Sequence, residues 1–400
     1  MNPHRLTWGI AYSFPIALCV GVATLLGSVF VMGRNKLPKE REMLILFLLC
    51  MLFTLNNLFA LFPLLAWKKW EQVIKIMLMT FLTAWLIDDK KKLRYLLFVI
   101  TLSVGFFSIK AIPWAIATGG RYMLRGPDRS FLATNNSIGM ALNMVMPLML
   151  FLARNEANKK IRLFYYGMFC CSIVGVILTY SRGALVGLSA VTLMLFLRSK
   201  KKYLAPVGLV LAILFLTSYV PQKWFDRMET IPNYQQDGSA MSRLATWGFA
   251  WNLALEHPLT GGGFEAFRAN PTDFDAHSIY FGMLAEQGFI AFGLFGALII
   301  SSYISLSAIK KKARRIESCR WYADCASMLQ VSIVAYLVNG ITLNHQYFDL
   351  FYVLIALVII LKALVKREIV VVREIAGQSQ LRGVSNKQPP SRVILRKLRT

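Results

Sequence analysis

The sequence predicts an all-α polytopic membrane protein. Three observations carry that prediction. The 400 residues are 56% hydrophobic and only 16% charged, with a mean hydropathy of +0.52, where a soluble domain carries roughly a quarter charged residues. The apolar residues come in long blocks, which excludes a soluble enzyme. The formal charge of +25, from 45 Lys and Arg against 20 Asp and Glu, sits in short clusters between those blocks. Such clusters mark cytoplasmic loops rather than a nucleic-acid-binding surface.

A helix needs about 20 mostly apolar residues to cross the hydrocarbon core, and fewer when flanking residues snorkel. Eleven segments qualify: 10–32, 43–60, 71–87, 93–117, 133–153, 162–180, 183–197, 203–220, 277–308, 325–343 and 349–365. The stretch 61–70 reads as interfacial, with Trp67 and Trp70 at headgroup level. The span at 277–308 is long and has Gly288 near its middle, so it is expected to bend or to extend out of the bilayer. No cysteine falls in the polar stretch 221–276, and no disulfide framework or cysteine zinc site is indicated.

Basic residues orient the set. The clusters at 34–41, 90–94, 154–162 and 198–202 hold four Lys or Arg each, 310–320 holds six and 362–399 holds ten, so 32 of the 45 lie on one side. That side is expected to be cytoplasmic. The chain then divides into N-terminal spans over 1–220, one large external loop over 221–276, C-terminal spans over 277–365 and a basic, mostly disordered cytoplasmic tail over 366–400. The same parity puts the N-terminus outside, which is awkward to insert unaided; an additional upstream span, making twelve, is the expectation.

Charges at the membrane edge are costly unless paired or used. Arg182 sits in the tight external hairpin Tyr180-Ser181-Arg182-Gly183-Ala184. It reads either as a snorkelling arginine or as a phosphate ligand, its planar fork matching diphosphate oxygens. In the external loop, 239–256 reads as an amphipathic helix capped by Ser239, with Met241, Leu244, Trp247, Trp251 and Leu255 on a stripe facing the membrane. Arg243 would sit just above the bilayer. Pro258 ends that helix, and Gly261, Gly262 and Gly263 form a turn whose glycines are only a weak phosphate signal.

The motif Asp273-Phe274-Asp275-Ala276-His277 stands at the threshold of the next span. His277 is the best base among four histidines: a neutral imidazole can take a proton from an incoming hydroxyl near pH 7. Nearby Arg182 and Arg243 would hold its pKa down. Alternatively Asp273, Asp275 and His277 could ligate Mn or Mg. Arg121, Arg125 and Arg129 put three cations in nine residues of another external loop, for an anionic ligand or anionic headgroups.

Taken in order, Ser-Arg-Gly-Ala at 181–184, Arg243-x3-Trp247, His257-Pro-Leu-x-Gly-x-Gly-x-x-x-Phe267, and His277 followed by Glu286-Gln287-Gly288 resemble the O-antigen ligase and polymerase superfamily. The opening Met1-Asn-Pro-His-Arg-Leu-Thr-Trp-Gly-Ile-Ala-Tyr resembles a narrower branch, the O-glycosylation ligases associated with the exosortase A system. The resemblance covers about residues 1–365. It implies a C-type membrane glycosyltransferase of the bacterial inner membrane, without cofactor or metal. Such an enzyme takes a glycan from undecaprenyl diphosphate on the periplasmic face and passes it, with inversion, to an acceptor hydroxyl of a protein, lipid or polysaccharide.

By the same resemblance Arg182 and Arg243 would hold the diphosphate and His277 would activate the acceptor. Arg121, Arg125, Arg129, Asp275 and Glu286 remain candidate substrate-binding residues. The external loop is short for a lipopolysaccharide ligase, a departure that bears on the lipid A-core acceptor. A polymerase of the same superfamily is the nearest alternative reading. A transporter of the lipid-linked glycan is the next, and it would need no base at His277.

Overall fold

The computed structural model describes residues 14–31, 37–128, 130–198, 238–270 and 275–381. Among these the chain is helical throughout, in eleven α-helices joined by short turns and two 3-10 turns. They are α1 (Ile16–Val31), α2 (Arg41–Asn57), α3 (Pro63–Leu86), α4 (Lys90–Ala117), α5 (Asn135–Arg154), α6 (Lys159–Leu178), α7 (Arg182–Arg198), α8 (Gly238–Glu256), α9 (Ile279–Ala313), α10 (Arg320–Asn339) and α11 (Asp349–Leu381). Five are long and apolar enough to cross a membrane: α4, α5, α6, α9 and Glu317–Asn339, which contains α10. The expected span at 203–220 and most of the external loop before α8 lie outside the described residues.

Local chemistry explains where the helices start. Asp89, Thr134, Asn158 and Ser278 cap α4, α5, α6 and α9, each accepting a hydrogen bond from a backbone N–H of the first turn. Proline at its first position opens α3. That helix runs from 63–70 without a break into the expected span at 71–87; Trp67 and Trp70 meet edge to face at 5.1 Å. At the other end of the chain α11 continues to Leu381, well past the expected boundary at 365. Charged residues end an apolar stretch without ending a helix, and Lys366 is held by Glu40 at 2.6 Å.

The core centres on α5, which packs against α4, α6, α7 and α10. Almost all of α5 is buried, and it is rich in methionine and small residues that fill irregular gaps. Asn143, fully buried, donates to Ala184 O at 2.8 Å and to Asn339 Oδ1 at 3.3 Å, joining α5, α7 and α10. Gly187 makes that junction possible, since a Cβ there would lie 2.0 Å from Asn339 Nδ2.

The bend expected in the long span is present. Gly288 has φ 74° and ψ 179° and divides α9 into two helical pieces, a conformation essentially confined to glycine. The carbonyls orphaned by the break are met from outside. Gly262 N donates to Ala285 O at 2.8 Å, Gly263 N to Glu286 O at 2.9 Å, and Asn56 Nδ2 to Gln287 O at 2.8 Å. Phe289 N donates to Pro258 O at 2.9 Å. The glycine run is therefore the splint of a broken helix, and two of its N–H groups are already spent on it.

Candidate functional site

Three helix N-termini meet at one end of the bundle, around the 340–348 turn between α10 and α11. Ile279 N, at the start of α9, donates to Gly340 O at 2.8 Å. Gly183, at the start of α7, is so close that a Cβ there would lie 2.2 Å from Thr342 Oγ1. Ser137, at the start of α5, meets His345 Nε2 at 2.6 Å. Some of the first-turn N–H groups of these helices are already capped, but the three positive dipole ends converge, so this end of the bundle suits an anion.

Arg182 is the first residue of α7. The hairpin that aims it is tightly turned: Tyr180 takes a left-handed backbone (φ 52°), its hydroxyl donates to Gly120 O at 2.6 Å, and Asn135 Nδ2 donates to Thr179 O at 2.9 Å. A non-glycine residue at positive φ is held there only by surrounding contacts. The loop that supplies Gly120 also pairs Leu124 N with Leu178 O at 2.8 Å, so it rides on the Arg182 hairpin. Arg121 and Arg125 are exposed on this loop, and Arg129 lies outside the described residues.

Arg243 comes from α8. That helix docks through a face of small residues, with Thr246, Ala250, Leu253 and Ala254 buried, and it presents Met241, Leu244, Trp251 and Leu255 outward. Trp247 leaves the expected stripe. Its ring stacks on Phe281 at 5.0 Å and its Nε1 donates to Ala276 O at 2.8 Å, next to His277. The helix starts at Gly238, placing the expected cap Ser239 within its first turn.

His277 is half-buried and also left-handed, with φ 44°. Burial lowers its pKa, the Arg243 cation lowers it further, and the exposed Asp275 carboxylate pulls the other way. Sequence reasoning expected Arg182 and Arg243 to lower it; burial is the larger cause, and of the two cations Arg243 contributes. The imidazole is thus neutral near pH 7. Asp273 lies outside the described residues, and among those described there is no group of three metal-ligating side chains.

Glu286 differs in kind from the other candidates. It is buried in the α9 break, where its carboxylate accepts from Glu265 N at 3.1 Å and from Gln346 Nε2 at 2.9 Å. It holds the break and the 340–348 turn together.

Three residues of this end escaped sequence reasoning. Burial lowers the pKa of His345, the hydrogen bond to Asn344 O opposes it, and the Lys69 cation lowers it further. Its Nδ1–H donates to Asn344 O at 2.9 Å, which leaves Nε2 to accept the Ser137 hydroxyl. Half-buried Lys69 on α3 adds a cation near His345. A lysine in a stretch read as interfacial, and a serine and histidine 208 positions apart, carry no local signal.

Comparison with known families bears on this end of the molecule. Residues 167–296 match the family model for O-antigen ligase. The match supports the O-antigen ligase superfamily, a family of membrane glycan ligases and polymerases, and it spans Arg182, Arg243, His277 and Glu286. Residues 1–157 match a family of unknown function, DUF5935. No curated protein matches the chain. The O-antigen ligase match implies a lipid-linked glycan and a membrane environment, and with the apolar helices it supports a multi-pass membrane protein.

Proposed function

We propose that the chain is a C-type glycosyltransferase of the bacterial inner membrane, within the O-glycosylation ligase branch associated with exosortase A. It would move a glycan from undecaprenyl diphosphate to an acceptor hydroxyl on the periplasmic face, with inversion and without metal. The observation that carries this reading is geometric: α9, which follows half-buried His277, and α7, which begins at Arg182, both start against the 340–348 turn, and the Arg243 cation acts on the imidazole.

In this mechanism the acceptor oxygen attacks the anomeric carbon as the bond from that carbon to the diphosphate oxygen breaks. The hydroxyl proton passes to neutral His277, and undecaprenyl diphosphate departs with the bonding pair. Arg182 and Arg243, aided by the N-termini of α5, α7 and α9, neutralise charge as it develops on the leaving group. The diphosphate is already a good leaving group, so orientation and this electrostatic stabilisation are the main demands on the protein.

The test is glycan transfer by purified protein in liposomes, with undecaprenyl-diphosphate glycan as donor, periplasmic extract as acceptor source and chelator present. Wild type should release undecaprenyl diphosphate and label an acceptor, and His277→Ala should not. Movement of intact donor across the bilayer by both proteins would favour a transporter. A ladder of lengthening glycan would identify the polymerase that the same family match allows.

A further inference from the structure

We propose that the cleft between α2 and α3, at the end of the molecule away from the site, binds one anionic phospholipid. Its acyl chain would lie between the helices and its phosphate at Lys39 and Arg41. The cleft encloses about 770 Å³ and is walled by Leu44, Phe47 and Cys50 of α2 and Met77, Leu78 and Phe81 of α3. That volume is in the range of sites for one small ligand, about 300–1,000 Å³. Leu44, Phe47 and Leu78 are 59%, 49% and 42% exposed, so the cleft opens sideways to surrounding hydrocarbon.

Lys39, Glu40 and Arg41 line the same cleft where α2 begins. Charge accounting there leaves an excess of two cations. The buried Glu40 carboxylate is held by Lys366 Nζ at 2.6 Å, and the buried Glu42 carboxylate by Lys362 Nζ at 2.7 Å. Arg41 is 3.9 Å from Glu42, whose charge Lys362 already matches, and Arg41 Nε is fixed by Ser301 Oγ at 2.8 Å. Lys39 and Arg41 are both exposed and remain for an external anion. A neutral lipid would have no use for them, and a water-soluble anion would have no use for the apolar trough. The two features together fit a lipid with an anionic headgroup, the kind of ligand that basic pockets between membrane helices hold.

Native mass spectrometry of the full chain in detergent, titrated separately with phosphatidylglycerol and phosphatidylcholine, tests this. Wild type should retain one phosphatidylglycerol at least about tenfold more tightly than phosphatidylcholine, and Lys39→Gln should cut that preference about fivefold. Lys39→Gln with Arg41→Gln should abolish the preference. Leu78→Trp, at the rim, should fill the trough and weaken both lipids. Lys39→Gln alters an exposed side chain and keeps the test decisive if a larger change disturbs folding. Equal retention of the two lipids by wild type, or a preference unchanged in the double variant, would overturn the proposal. Competition by glycerol phosphate at equal concentration would do so too, because it would mark a site for free anions.

Discussion

The neutral state of His277 rests first on burial and then on two opposed neighbours, and those neighbours make its role measurable. As a base it works only unprotonated, so transfer should rise with pH through its pKa, which lies below the usual histidine value. Arg243→Gln removes a cation that lowers that pKa, so the acid limb of the normalised profile should move to higher pH. Asp275→Asn removes the carboxylate that raises it and should move the limb to lower pH. Shifts in the same direction for both variants would dissociate the limb from His277. Arg182→Lys keeps the charge but loses the fork, and transfer should fall about tenfold or more; full activity would argue against a diphosphate clamp at this position. Arg182, Arg243 and His277 were legible in the sequence as candidates at a membrane edge. His345, Ser137 and Lys69 were not, because only the folded chain brings them to the 340–348 turn.

At the scale of elements, the break in α9 and its glycine splint hold the site end together. A side chain at Gly288 would meet both a forbidden backbone conformation and Gly261 N at 2.8 Å. Gly288→Ala should therefore destabilise the protein by about 1–3 kcal/mol, read as a lowered melting temperature in detergent; an unchanged melt would contradict the splint. Trp247→Ala removes the stack on Phe281 and the bond to Ala276 O that seat α8 against His277. Donor affinity should weaken while the bundle melts normally, since only the Arg243 support is loosened. The bend was legible because a glycine sat midway in an overlong apolar run. The splint was not, because a glycine run gives no indication of which carbonyls its N–H groups will meet. The extension of α11 to Leu381 was hidden for another reason: hydropathy measures the membrane, whereas backbone hydrogen bonding sets the helix end.

Across the whole molecule, the buried ion pairs and the candidate site lie at opposite ends. The buried Glu40–Lys366 and Glu42–Lys362 pairs join α2 and α11 at one end, and the 340–348 turn gathers the candidate site at the other. The all-α class was legible from apolar blocks and basic clusters alone. The number of spans was less so: α1, α2 and α7 have only 16 or 17 residues, fewer than the roughly 20 of an upright span. A periplasm-active reporter inserted within 221–237 should be active, and the same reporter after Leu381 inactive. The reverse would overturn both the orientation and the periplasmic reaction.

The central claim, a diphosphate clamp serving a separate base, is tested most directly by measuring donor binding and glycan transfer side by side on His277→Ala. The account predicts donor affinity within about twofold of wild type, with transfer reduced by roughly 10²–10⁴-fold. Retained transfer, or loss of donor binding in step with transfer, would contradict it.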